Sequence, residues 1–233
     1  MPSLGFLVLH GFAGSIADVS PLIQFLRNRG HLVVAPTLAG HDGDRLHLQQ
    51  SSREQWVQTA EAFYQQLAEQ VDTIVVIGFS MGGLLSFHLA ATRQVDLLFT
   101  LCTPYHYWDA RQAFLYMKDD FISSSKKYWN SLVRIPFSSM LHFRRLLSET
   151  KPILPQITCP YYIIQGLRDD TVKATSADKL RQHVSSKHVE VKYFNHSGHV
   201  ILLGPETEQV IHYIDEMLMR QFPDSYGNTT VLF

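Results

Sequence analysis

Residues Thr73 to Gly83, TIVVIGFSMGG, limit the possible folds more than any other stretch of this chain. Thr73 to Ile77 carries no charge, as expected of a strand buried on both faces of a parallel sheet. Gly78-Phe79-Ser80-Met81-Gly82 follows at once, and Met81 to Thr92 reads as a helix. A serine between a buried strand and a helix stands on a sharp, strained turn. The helix aims its first N–H groups and positive dipole end at the site. The small residues Gly78 and Gly82 let neighbouring chain come close. The pattern therefore predicts a nucleophile at Ser80, set against the alternative of a glycine-rich turn without chemistry.

The rest of the chain repeats the strand–helix alternation. Strands are expected at Gly5–Leu9, His31–Ala35, Leu97–Leu101, Tyr161–Gln165 and His188–Tyr193. Helices are expected at Asp18–Arg29, Ala174–Val184 and Glu206–Arg220, with Gly30 ending the first. Ser51 and Ser52, followed by Glu54 and Gln55, form a capping-box signature. Trp56, Ala60, Phe63 and Leu67 then recur at helical spacing. Six strands with crossover helices imply a doubly wound, mostly parallel sheet flanked by helices. The alternation breaks once, between Leu101 and Cys159. That stretch holds helical fragments and many aromatics, among them Tyr105, Tyr107, Trp108, Phe114, Tyr116, Phe121, Tyr128, Trp129, Phe137 and Phe143. A long insertion of this kind is more often a functional lid than a loop. The chain is thus expected to form one domain over residues 1–233, with a small helical cap inserted at about 104–157. The tail from Phe222 is open to disorder or to packing as an extra strand.

A serine hydroxyl is a weak nucleophile and needs a base. In Asn195-His196-Ser197-Gly198-His199-Val200 the base is assigned to His199, because Ser197-Gly198 supplies a turn that can aim its imidazole; His196 is the alternative. The acid that orients the base is sought in Gly166-Leu167-Arg168-Asp169-Asp170-Thr171-Val172, after the fifth strand. Asp169 sits on the turn and is preferred. Asp170 is expected to face solvent or to cap the next helix. The order Ser80, Asp169, His199 is that of one serine-hydrolase fold and differs from the orders of the two common serine-protease folds. Two backbone N–H groups are expected to hold developing negative charge: Met81, just after the nucleophile, and Phe12, in His10-Gly11-Phe12-Ala13-Gly14 after the first strand. His10 is assigned to holding that loop by hydrogen bonds.

These segments, together with Pro36 to Gly43 and Ser197 to Ile201, resemble the α/β-hydrolase superfamily. Within it the chain is similar to the small bacterial carboxylesterases and monoacylglycerol lipases. The resemblance runs from about Gly5 to about Arg220. It implies a helical cap over the site and an acyl pocket lined by cap and core. It also implies hydrolysis of small-molecule carboxylic esters, either short-to-medium acyl esters or monoacylglycerols, through an acyl-enzyme. A thioesterase or other acyl hydrolase on the same triad is the enzymatic alternative, and an inactive ligand-binding relative the non-enzymatic one. There are departures. The chain opens on the strand that carries the oxyanion loop, so the antiparallel strands that often precede it are expected to be missing. Phe79 stands where many relatives have a different residue. His41-Asp42-Gly43-Asp44 replaces the frequent Gly-His-Gly. With His47 nearby that cluster is vaguely metal-like, but four polar residues on one loop are far more often a hydrogen-bonded turn, so no metal and no cofactor are expected.

A net charge of -1 gives no general attraction to nucleic acid or to an acidic membrane. The pairs Lys126-Lys127 and Arg144-Arg145 read as solvated surface. No signal peptide and no apolar run of about 20 residues are evident, so a cytoplasmic chain without stable membrane insertion is expected. The acceptor patterns at Asn195 and Asn228 read as chance matches. Cys102 and Cys159 are expected to be buried, reduced thiols at strand ends. A homodimer is compatible with the sequence.

Overall fold

A computed structural model describes residues 3–106 and 135–226. The central part of the expected cap, residues 107–134, lies outside them, with Lys126-Lys127 and all of the insertion's aromatics named above except Tyr105, Phe137 and Phe143. Residues 227–233, with the Asn228 acceptor pattern, also lie outside.

The elements run β1 (Leu4–Leu9), α1 (Ser20–Asn28), β2 (Leu32–Val34), α2 (Arg45–Gln50), α3 (Arg53–Ala68), β3 (Thr73–Phe79), α4 (Met81–Thr92) and β4 (Leu97–Leu101). They continue with α5 (Phe137–Thr150), β5 (Tyr161–Gly166), α6 (Thr175–His183), β6 (Val189–Phe194), α7 (Thr207–Gln221) and a short α8 (Pro223–Tyr226). All six strands pair in parallel, in the order β2-β1-β3-β4-β5-β6. The mostly parallel sheet expected from the sequence is thus parallel throughout the described residues.

Each central strand is apolar on both faces because helices cover both. On β1, Leu4, Phe6 and Val8 pack with Leu22, Ile23 and Leu26 of α1 and with Val210, Ile214 and Leu218 of α7. Leu7 and Leu9 face the other layer, with Trp56 and Leu67 of α3, Leu84 and Leu85 of α4 and Phe143 of α5. The edge strand β6 instead alternates half-buried and exposed residues up to Phe194. From β1 the chain steps outward to β2, then crosses back to β3 and continues the other way. The sheet therefore has its switch point between β1 and β3. In open parallel sheets ligands settle there, outside the carboxyl ends of the strands.

Local chemistry sets the helix ends. Ser52 Oγ accepts from the Gln55 N–H while the Gln55 side chain accepts from the Ser52 N–H, the capping box read in the sequence. Asp44 Oδ1 accepts from the Leu46 N–H at 2.7 Å and starts α2, a helix not anticipated from sequence. The expected helix from Asp18 divides into a 3-10 turn, Ile16–Val19, and α1, with a proline in the first turn of α1. The start of the tail packs as α8, not as a strand. Tyr226 stacks on His31 at 4.7 Å, and its hydroxyl donates to Asp215 Oδ1 at 2.6 Å. Arg29 pairs with the other oxygen of Asp215 at 2.6 Å. Both cysteines are free, Cys102 buried and Cys159 half-buried. Among the described residues no helix is long and apolar enough to cross a membrane.

Candidate active site

Ser80 follows the last residue of β3 and precedes the first of α4, so no spacer separates strand from helix. The turn puts Ser80 at φ 52°, ψ −114°. A side chain there costs about 1–3 kcal/mol of backbone strain, which the surroundings must hold. They do so at several points. The Ser80 N–H donates to Leu101 O of β4 at 2.8 Å, and Ser80 O accepts from the Gly83 N–H at 3.0 Å. Gly78 and Gly82 close the turn from both sides: a Cβ on Gly78 would lie 2.4 Å from Gly82 O, and one on Gly82 would lie 2.2 Å from Leu9 O. The helix dipole and its free N–H groups therefore start at a buried serine.

His199 reaches this serine across the sheet. Its Nε2 lies 3.1 Å from Ser80 Oγ and its Nδ1 lies 3.0 Å from Asp169 Oδ2. A carboxylate only accepts, so Nδ1 carries the proton and Nε2 is left to accept from the serine hydroxyl. The Asp169 carboxylate is wholly buried, whereas the imidazole keeps 16% of its surface exposed. Burial alone would raise the Asp169 carboxyl. The His199 charge and hydrogen bond, with the N–H groups of Val172 and Thr171, outweigh burial and hold it below the ordinary carboxylate value. Those two N–H groups donate to Oδ1 at 2.7 and 2.8 Å.

The competing residues lie elsewhere. Asp170 is exposed and accepts from the Thr171 hydroxyl, and it does not cap α6. His196 is exposed, and its N–H donates to Glu206 Oε2 at 2.8 Å. Ser197 donates to the same carboxylate oxygen at 2.6 Å, so Glu206 pins the loop that carries His199.

Gln165 was missed by sequence reasoning. It is buried at the end of β5, and its Nε2 contacts Asp169 Oδ2 at 3.1 Å, Val172 O at 3.2 Å and Gly166 O at 3.2 Å. The available signal was a lone amide closing the apolar run Tyr161 to Ile164. Cys102 was read only as a structural thiol. Its Sγ, a carboxylate oxygen of Asp169 and a ring nitrogen of His199 lie within 4.8 Å of one another.

The loop after β1 supplies the other wall. Gly14 N–H donates to Gly11 O at 3.3 Å, and Ala13 takes φ 54°. The His10 ring braces the loop: Nδ1 donates to Gly11 O at 2.9 Å and Nε2 accepts from the Leu38 N–H at 3.1 Å. Burial lowers the His10 pKa, in keeping with this neutral tautomer. Among the described residues neither the Phe12 nor the Met81 N–H donates to a backbone carbonyl, so both are unspent donors, one on the loop after β1 and one at the start of α4.

The polar cluster after β2 is a hydrogen-bonded turn. Asp42 accepts from the Asp44 N–H at 3.1 Å and from His47 Nδ1 at 2.6 Å. His41 turns inward: its Nδ1 donates to Ala39 O at 3.0 Å, while its buried Nε2 has no partner among the described residues. Burial, the largest influence, brings the His41 pKa down to about 4.

Comparison with known proteins gives the family and the fold. A sequence model described as the alpha/beta hydrolase family matches residues 6–210. The chain is 25% identical over 229 residues to a carboxylesterase of Bacillus subtilis (strain 168), covering 92% of each protein. It is 27% identical over 219 residues to a thermostable monoacylglycerol lipase of Bacillus sp. (strain H-257), covering 89% of this chain and 87% of the lipase. A solved structure from work on LipS and LipT, two metagenome-derived lipolytic enzymes, superposes with a TM-score of 0.81 at 22% identity, over 94% of this chain and 95% of that one.

Proposed function

Because the chain belongs to the alpha/beta hydrolase family, we propose that it is a serine carboxylic ester hydrolase working through an acyl-enzyme, with Ser80, His199 and Asp169 as its triad. The observation that carries this reading is the relay Asp169 Oδ2–His199 Nδ1 at 3.0 Å and His199 Nε2–Ser80 Oγ at 3.1 Å. In the forward step Ser80 Oγ attacks the ester carbonyl carbon while His199 Nε2 takes the hydroxyl proton. The carbonyl oxygen becomes an oxyanion held by the Phe12 and Met81 N–H groups. Such donors are worth about 3–4 kcal/mol each in a transition state. Collapse breaks the ester C–O bond, and His199 returns its proton to the departing alkoxide. Water then attacks the acyl-enzyme by the same route and frees the acid. Asp169 stays ionised throughout, holding the imidazole in the tautomer the first step needs.

The names of the two Bacillus relatives bring carboxylic esters, monoacylglycerols among them, to the front as substrates. The test is a series of p-nitrophenyl esters of rising acyl length, with monoacylglycerols and one acyl thioester alongside, run with wild type and Ser80→Ala. Wild type is expected to cleave the esters and to take up one fluorophosphonate at Ser80, and Ser80→Ala is expected to do neither. A Ser80→Ala protein with wild-type turnover would overturn the reading.

A further inference from the structure

The oxyanion donor at Phe12 belongs to a loop with one internal backbone hydrogen bond, from the Gly14 N–H to Gly11 O at 3.3 Å. Ala13, next to it, sits at φ 54°, a left-handed conformation that a residue with a side chain leaves unless it is held. The Phe12 side chain supplies the hold. Its ring stacks on Phe143 at 5.1 Å and 18°. Trp56 closes a second side at 5.6 Å and His41 a third at 6.0 Å.

These rings come from α5, α3 and the loop after β2, and each is anchored. Trp56 is fully buried, and its Nε1 donates to Ser51 Oγ at 3.0 Å. Phe143 is 4% exposed. The helix that carries Phe143 is tied to α2 and α3 near its two ends: Ser139 Oγ donates to Leu48 O at 2.8 Å, and Glu149 accepts from Arg53 Nε at 2.8 Å at the surface.

From this geometry we propose that Phe143 is a positioning residue for the Phe12 N–H, coupling α5 to the chemistry at Ser80. The inference rests on the ester-hydrolase reading above. It adds that the oxyanion hole is completed by a side chain reaching in from a helix of the long insertion. A ring packed against the Phe12 face anchors that side chain, and through its Cα restrains the peptide that carries the Phe12 N–H. Without that ring the loop keeps its place at Gly11 through His10, and Trp56 and His41 still touch Phe12, but the stacked restraint at its tip is gone. Binding of the ester ground state then changes little, while stabilisation of the oxyanion weakens.

The experiment compares wild type with Phe143→Leu, Phe143→Met and Phe143→Tyr on p-nitrophenyl acetate, butyrate and octanoate. Rates are counted per active site titrated with a fluorophosphonate. Removing an oxyanion donor outright costs about 10²–10³-fold in kcat, so a loosened one should lose about tenfold. Phe143→Leu is expected to lower kcat by about that factor for all three esters with KM nearly unchanged. Phe143→Tyr, which keeps the ring, should restore most of it. If Phe143→Leu does not fold, Phe143→Met, unbranched and better able to fill the space, carries the comparison. Wild-type kcat in the variant that folds would overturn the proposal. So would a loss that grows with acyl length, which would make Phe143 a wall of the acyl pocket. A loss wholly accounted for by fewer titrated sites would also overturn it. Ser80→Ala run alongside separates the two levels: if it is inactive while Phe143→Leu is wild type, only this inference fails.

Discussion

Gly82→Ala sets two well-known effects against each other. On helix propensity alone, alanine inside α4 is better than glycine by about 1 kcal/mol. The position forbids it. A Cβ on Gly82 would lie 2.2 Å from Leu9 O, 2.7 Å from Leu9 C and 2.8 Å from His10 O. All three atoms are backbone, at the exit of a strand paired on both sides, so no side chain can rotate away. Relief requires the start of α4 and the end of β1 to separate by about 1 Å, in the range where overpacking costs about 1–3 kcal/mol. The same movement pulls the loop carrying Phe12 away from Met81, and a misplacement of about 1 Å can cost about 10²-fold in rate. Gly82→Ala should therefore lose about 100-fold in kcat and melt several degrees lower, at about 2–4 °C per kcal/mol for a chain of this size. Calorimetry and titrated p-nitrophenyl butyrate turnover measure the two effects. Gly204→Ala is the control, since its Cβ would meet nothing closer than 3.8 Å. A Gly82→Ala protein that melts higher than wild type and turns over normally would refute the close approach and the argument built on it.

Two further outcomes follow from the site. Asp169→Asn should lower kcat by about 10⁴-fold by favouring the wrong imidazole tautomer, whereas Asp170→Asn should leave kcat unchanged; the reverse pattern in steady-state assays would move the acid role to Asp170. His41, with its pKa brought down from 6.5 to about 4 by burial, stays neutral in the fold while the unfolded chain binds its proton below about pH 6.5. Unfolding free energy should thus fall as pH drops from 6.5 towards 4, by up to about 3 kcal/mol from this residue. His41→Phe should flatten that fall in urea titrations at pH 7, 5.5 and 4.5, and an unchanged slope would count against the assignment.

What could be read from the chain follows from the range of each signal. Strand β4 and helix α4 have the expected ends, because buried apolar runs and the elbow are local features. So is the Ser52–Gln55 capping box. Helix α2 was missed because six residues give less than two turns of periodicity, and its cap comes from the polar loop read as a turn. At the site, the fold brings Ser80, His199 and Asp169, proposed above as the triad, into one line of hydrogen bonds. The choice of Asp169 over Asp170 rested on turn geometry, and here it is expressed as burial of one carboxylate and exposure of the other. The supports were not legible. Gln165 looks like the last residue of a strand until the acid loop folds over it. The rings of His41, Trp56 and Phe143 are far apart in the chain, and nothing local announces that they meet at Phe12.

The sheet order has a consequence for how the molecule comes alive. Ser80 and His199 are 119 residues apart, and β4 and β5 must register across the whole insertion before the base can arrive. The serine elbow, by contrast, is built from β1, β3, β4 and α4 alone. A half-assembled chain could own a strained serine and still be inert. Appearance of turnover during refolding is therefore a clock for the final strand pairings, lagging behind any optical probe of the earlier ones.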